Sequence, residues 1–261
     1  MEPKEIQVPS RILRRMGYKS DNRGIIDRYI EVNGAWNGHL QHAHNFILAA
    51  VTGKNIGNLA VFGSGWCLDL PLEELAGKVR NIQLYDLVFP AQVLHLIRKF
   101  NNVAAIKADI TGGAVIKTYR AVRQFKKSGY RATAEEICNR HFSPAIVPDY
   151  SLSLNILSQI GEIITEYLKV HIPYSSEELE HIARLLQQKH LQLLPPGRSC
   201  LITDIMEYND DLKDYHRETT EVLKVSLPPP SRSETWEWQF DQHGGYRPGK
   251  ITVLKVMGME L

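Results

Sequence analysis

Asn58-Leu-Ala-Val-Phe-Gly63-Ser64-Gly65-Trp66-Cys67-Leu68-Asp69 decides the fold. The apolar run from Leu59 to Phe62 lacks the polar alternation of a half-exposed strand, so it suits a strand buried on both faces. It passes straight into a Gly-x-Gly turn. Glycine admits positive φ and lets a ligand come close to the backbone at the strand end, where the amides of a following helix point outward. The next apolar run ends in Asp86, 21 residues after Gly65, and the one after it ends in Asp109-Ile110, 23 residues after Asp86. Three successive strand ends thus offer polar groups to one crevice, where open α/β sheets bind ligands. An acid at the second of them, Asp86, can accept both hydroxyls of a ribose.

Outward from this stretch, short apolar runs alternate with longer periodic ones, the pattern of a parallel sheet covered by helices. Strands are expected at 59–62, 81–85, 103–107, 150–154 and 200–203. Leu157, Ile160, Ile164 and Leu168 recur at helical spacing. A second helix starts at Ser175-Ser176 with Glu177 and Glu178 in its first turn, buries Leu179, Ile182 and Leu186, and stops before Pro195-Pro196-Gly197. Asn209 is expected to cap a helix carrying Leu212, Tyr215, Thr219 and Val222 that ends near Pro228-Pro229-Pro230, with Glu207, Asp210, Asp211 and Asp214 as its N-terminal acids. Strands 234–240, with alternating Trp236 and Trp238, and 250–256 flank a loop containing Gly244, Gly245 and Gly249, which implies an antiparallel pair. Residues 1–57 read as a helical cap segment, with the best helix at 36–51, and 58–261 as the ligand-binding domain. Its segment 111–148 is a helical insertion of two helices, the second opened by Thr133 and Glu136 as a capping box.

The Gly63-Ser64-Gly65 turn, Asp86 and the Asp109-Ile110 pair resemble the cofactor motifs of class I S-adenosylmethionine-dependent methyltransferases, and the resemblance covers about residues 58 to 261. It implies a Rossmann-like methyltransferase fold: an α/β, seven-stranded, mostly parallel sheet closed by a C-terminal antiparallel hairpin. It also implies S-adenosyl-L-methionine as cofactor, held by Gly63, Ser64, Gly65 and Trp66 at its methionine end, by Asp86 with Leu87 at the ribose, and by Asp109 with Ile110 at the adenine edge. The segment 148–159 is similar to the family's fourth strand, whose end, at Asn155, faces the transferred methyl group, with Ser158 and Gln159 on the substrate side. Leu193 to Asp204 resembles the proline-glycine turn before the fifth strand. Val61 stands where the family commonly has an acid and Cys67 where it has a third glycine, which keeps open a non-catalytic binding module of the same fold. The spacing after Gly65 misses the third position of the dinucleotide fingerprint, so a nicotinamide-dependent oxidoreductase is the poorer reading. Asn155 is followed by Ile156 and Leu157 rather than by two prolines and an aromatic, unlike enzymes that methylate the exocyclic amines of bases.

Composition agrees with a folded protein: 43% of the 261 residues are hydrophobic and 23% charged. With 31 basic against 29 acidic residues, no uniform field points to nucleic acid or membrane. A small-molecule substrate is therefore expected. Lys117, Arg120, Arg123, Lys126, Lys127 and Arg131 form a local basic stretch that could meet phosphates of a nucleic acid, though a solvated helix face is the favoured reading. Cys67, Cys138 and Cys200 contain no C-x-x-C pair and suit reduced thiols in the cytoplasm. The N-terminal residues lack a signal peptide's apolar core, and no run is long enough to span a membrane. His39, His42 and His44 supply two ligands at most on one helix face, and Cys138 with His141 lacks a second pair, so no metal site is expected. Trp36 and His39, on a cap helix over the strand ends, are candidate substrate contacts. His39 is also the candidate general base, as an imidazole titrating near neutrality, beside Asn155 as the other candidate catalytic residue.

Overall fold

The computed structural model describes residues 7–214 and 216–261. Helices α1 (Ser10–Met16), α2 (Tyr18–Glu31) and α3 (Asn37–Val51) precede β1 (Asn58–Phe62). There follow α4 (Leu72–Ala76), β2 (Asn81–Asp86), α5 (Ala91–Leu96) and β3 (Val103–Lys107). The connection to β4 (Tyr150–Leu154) carries α6 (Ala114–Ser128) and α7 (Ala134–Cys138). Beyond it lie α8 (Glu162–His171), α9 (Ser176–Leu191), β5 (Ser199–Asp211), β6 (Arg217–Glu221), β7 (Arg232–Asp241) and β8 (Lys250–Glu260). The side chains of Thr133 and Ser175 each accept from the backbone three residues on, and Glu136 and Glu178 complete both capping boxes.

The described strands form one sheet in the order β3-β2-β1-β4-β5-β8-β7, with β6 paired to β5. β1 to β5 are parallel, and β8 runs antiparallel to both β5 and β7. The chain leaves β1 in one direction to β2 and β3 and returns on its other side as β4, so a crevice opens between the ends of β1 and β4. This is the mostly parallel Rossmann-like architecture expected, with β6 as an eighth strand.

The unbroken apolar run of β1 follows from burial on both sides. Leu59 and Val61 enter a core with Phe46, Ile47 and Ala50 of α3, while Ala60 and Phe62 enter a second with Leu157, Leu194 and Leu201. Leu59, Val61 and Phe62 each contribute roughly 1.5–3 kcal/mol. Trp36, 1% exposed, meets Trp238 edge-on at 4.8 Å, stacks on Phe240 at 5.6 Å and donates its indole N–H to the Phe240 carbonyl. These contacts tie α3 to the C-terminal hairpin.

The helix expected from Asn209 is absent: β5 continues to Asp211 and β6 returns beside it. Past residue 205 the inward positions of β5 are Glu207 and Asn209, so its two-residue alternation is carried by buried polar groups rather than apolar ones. Glu207, Asp210, Asp211 and Asp214 consequently lie on the strand and the following turn, and Asp210 accepts two bonds from Arg217 across the β5–β6 pair. Tyr215 lies outside the described residues. Among them, no helix is long and apolar enough to cross a membrane, and Cys67, Cys138 and Cys200 are free and buried.

Candidate functional site

A cavity of about 190 Å³ lies over the ends of β1, β2 and β4, roofed by α2 and the start of α3. Its floor is the turn after β1. Gly63 has φ 77°, and a Cβ there would stand 2.6 Å from the Cβ of Ile156 and 2.8 Å from the Leu154 carbonyl, so only glycine lets this turn cross the end of β4. Gly65 follows at φ 42°, and Cys67, where a third glycine was the family pattern, keeps a left-handed backbone at φ 56°. Burial pushes its thiol up to about 12, so it stays protonated. Ser64 is 1% exposed, and its Oγ has no partner among the described residues. Trp66 closes one wall by donating its indole N–H to the Asn22 carbonyl of α2 at 2.7 Å.

Asp86, at the end of β2, accepts the Gly65 N–H at 2.8 Å and the Val88 N–H at 3.1 Å. It therefore clamps the glycine turn to β2, and each oxygen keeps a second lone pair. Burial raises its pKa against these bonds. Leu87 lies beside it in the wall. Asp109 is fully buried and committed to its own turn: it accepts the Thr111 hydroxyl and N–H and the Val115 N–H, and burial pushes it up to about 6. Ile110 presents an apolar side chain next to it.

Asn155 ends β4 in a left-handed conformation, φ 47°. Its Nδ2 donates to Asp69 at 2.8 Å, while its Oδ1 is buried without a partner among the described residues. His39 hangs from the roof, 1% exposed, its ring stacked on Trp238 at 3.9 Å. Trp236 Nε1–H reaches His39 Nδ1 at 3.0 Å. An indole N–H can only donate, so Nδ1 accepts and the ring proton sits on Nε2. That nitrogen faces the Asn155 amide nitrogen at 3.5 Å, donor against donor, which leaves the Nε2–H for a ligand. Burial, reinforced by His42 and His44, pushes His39 down to about 3. The near-neutral titration expected of it is not what this environment produces. Trp238 Nε1 is another buried atom of the wall without a partner among the described residues.

Trp36 and Gln159 line the cavity. Ser158 does not, because its hydroxyl donates to Asp204 at 2.8 Å. Asp69 stood in the stretch that decides the fold yet was not singled out, and Tyr18, Asp21, Asn22 and Ile25 of α2 were not anticipated at all. The three histidines diverge: His42 stacks on Trp236 and His44 bonds the Leu68 carbonyl. Among the described residues no group of three His, Cys, Asp or Glu could hold a metal. The basic stretch follows the outer side of α6, with Arg131 paired to Glu178, and none of its residues lines the cavity.

No family model and no curated protein matches the chain. Solved structures that follow a similar course include the 1,6-didemethyltoxoflavin-N1-methyltransferase of Burkholderia thailandensis with bound 1,6-didemethyltoxoflavin and S-adenosylhomocysteine, at 12% identity and TM-score 0.44 over 98% of this chain and 94% of that one. DhpI in complex with SAH matches at 11% and 0.42 over 97% and 98%. The N-methyltransferase NodS of Bradyrhizobium japonicum WM9 with S-adenosyl-L-homocysteine matches at 12% and 0.38 over 83% and 85%. Likeness at this level carries no argument about the site, and the architecture rests on this chain's own strand order.

Proposed function

We propose that the protein is an S-adenosylmethionine-dependent methyltransferase acting on a small molecule. The observation that carries the reading is the charge of the cavity. Asp21, Asp69, Asp86, Asp109 and Glu162 line it, and no lysine or arginine does. S-adenosylmethionine brings a sulfonium cation and two ribose hydroxyls that donate hydrogen bonds, both of which such a wall attracts. The pyrophosphate of a nicotinamide dinucleotide finds no cationic side chain there.

The residues present fit the cofactor. Gly63, Ser64, Gly65 and Trp66 would hold its amino-acid end, Asp86 with Leu87 the ribose, and Ile110 beside the immobilised Asp109 the adenine edge. The unpartnered Ser64 Oγ, Asn155 Oδ1 and Trp238 Nε1 would find partners in a bound ligand. When bound, the cofactor supplies an electrophilic methyl group, the C–S bonding pair returning to sulfur as the new bond forms. Much of the acceleration in such a transfer comes from alignment. His39 then serves through its Nε2–H as a fixed donor that orients the acceptor, Asn155 Oδ1 receives an acceptor N–H or O–H, and Trp36 and Gln159 bound the acceptor's space. Ser158 acts at one remove, by holding Asp204. Residues 1–57 would form the cap on the acceptor side of the domain 58–261, with 111–148 as its insertion. The three unpaired buried cysteines support a cytoplasmic location.

A binding module without turnover is favoured by one feature, the Asp86 carboxylate already engaged by two backbone amides. Thermal melting tests cofactor binding directly. S-adenosylhomocysteine at a hundred times its dissociation constant should stabilise the protein by about 2.7 kcal/mol, NAD should not, and Asp86→Ala should lose most of the shift while remaining folded. An equal shift with NAD, or none with S-adenosylhomocysteine, would overturn the proposal. Binding without methyl loss on any acceptor would favour the non-catalytic module.

A further inference from the structure

Beside the main cavity lies a smaller recess of about 20 Å³, and Asp21, Ile25, Gln159 and Glu162 line both. Such a volume accommodates one group about the size of a water molecule or an ammonium head, but no ring. Its far side is built by β5, where a bulge after Asp204 changes the strand register against β8. Without it, Asp204 and Glu207 would face opposite sides of the sheet. The one extra residue, Ile205, places both on the buried side, at 4% exposed each.

The charges around the recess do not cancel. Glu207 is paired with Arg247 through two contacts, the shorter 2.8 Å, and also accepts from Tyr246 and Asn209. Arg28 of α2 lies over the rings of Phe240 and Tyr246 and offsets Asp21 on the same helix. Asp204 has no such counter-charge, and Glu162 feels only Arg247, which Glu207 already holds. Asp204 spends Oδ1 on the Ser158 hydroxyl, the one side chain among the described residues that donates to it, and its own backbone N–H also favours the charged form. Glu162, the first residue of α8, reaches solvent yet is pushed up to about 7 by the surrounding protein and then by Asp204 and Glu207. Asp204 is pushed up to about 6, mainly by burial. Four acids, Asp21, Glu162, Asp204 and Glu207, line this small space against the single guanidinium of Arg28, and a buried carboxylate such as Asp204 in that company is costly unless a further cation completes it.

We propose that the methyl acceptor is an amine whose ammonium group seats in this recess between Asp204 and Glu162. The inference rests on the methyltransferase reading and names the substrate class for the same site. The recess joins the cofactor cavity through Gln159 and Glu162, so a group bound there lies next to the transfer site. An ammonium has no free pair and must lose a proton before its nitrogen can take a methyl group. Glu162 touches both recess and solvent: its carboxylate takes the proton from nitrogen, the nitrogen keeps the bonding pair, and the acid returns the proton to water.

The test is calorimetric titration of the whole protein with butylamine and benzylamine against butanol and benzyl alcohol, with and without saturating S-adenosylhomocysteine. Each amine should bind at least about ten-fold more tightly than its alcohol, and Asp204→Asn should remove that preference with its melting temperature and S-adenosylhomocysteine affinity retained. Should Asp204→Asn fail to fold, Glu162→Gln, at an exposed position, reads the same preference. Equal or undetectable binding of amine and alcohol overturns the inference, as does a preference that survives both substitutions. Failure of S-adenosylhomocysteine to bind overturns the parent reading instead, and the titrations without it still decide whether the recess selects amines.

Discussion

His39 is a neutral donor because of what surrounds it, and that has a measurable consequence for stability. Its folded pKa of about 3 lies below the ordinary 6.5, so the stability it contributes is complete above pH 6.5 and is lost as pH falls toward 3. Between pH 7.5 and 4.5, wild type should lose on the order of 2 to 3 kcal/mol more than His39→Gln in denaturant titrations; equal losses would mean the imidazole is not held neutral. Gly63 makes an equally local claim. Gly63→Ala would drive its Cβ into Ile156 and the Leu154 carbonyl, whereas at Gly65 the nearest atom to a new Cβ is an Asp86 oxygen at 3.9 Å. Gly63→Ala should therefore cost more than 3 kcal/mol, against about 1–2 kcal/mol for the left-handed backbone alone at Gly65→Ala. Similar melting temperatures for the two variants would contradict the crowding at Gly63. The glycines, Asp86 and Asn155 were legible because strand ends announce themselves in sequence. The direction of the His39 proton was not, since it is set by Trp236, 197 residues away.

Among the elements, β5 makes the largest departure from expectation. The chain from Asn209 onward reads as a helix because Leu212, Thr219 and Val222 fall at helical intervals, while the true period of two in β5 is written in Glu207 and Asn209, polar residues facing inward. They are tolerated because they bond one another, and Asn209 also accepts from Thr252 of β8 at 2.7 Å. A pattern search that expects apolar residues inward cannot see such a strand. The bulge is the element's second feature. Deleting Ile205 would remove the bulge yet leave Glu207 opposite Leu254 and on the same face as Asp204, so the Arg247–Glu207 pair should persist and the melting temperature should fall only modestly. A sharp fall with loss of that pair would show that the bulge itself holds Glu207 inward. The helices were easier to anticipate: Ser175 with Glu178 and Thr133 with Glu136 are local signals, and both boxes form as their spacing requires.

For the molecule as a whole, the central feature is the position of the cavity, where the strand order turns back on itself between β1 and β4. Its floor could be read from residues 58–110 because each contribution sits at the end of a consecutive parallel strand. The roof from α2 and the acid pair Glu162 and Asp204 could not, because no local pattern marks side chains brought together from three distant elements. Five acidic side chains without a lysine or arginine, of which Glu162 and Asp109 are the most readily protonated, make a field that should select a sulfonium ligand over a phosphate-bearing one. Calorimetric titration of the intact protein with S-adenosylmethionine, S-adenosylhomocysteine and NAD tests that claim most directly. The structure leads us to expect micromolar dissociation constants for the first two, about −8 kcal/mol, and no measurable binding of NAD. Binding of NAD, or silence from all three ligands with the protein folded, would contradict it.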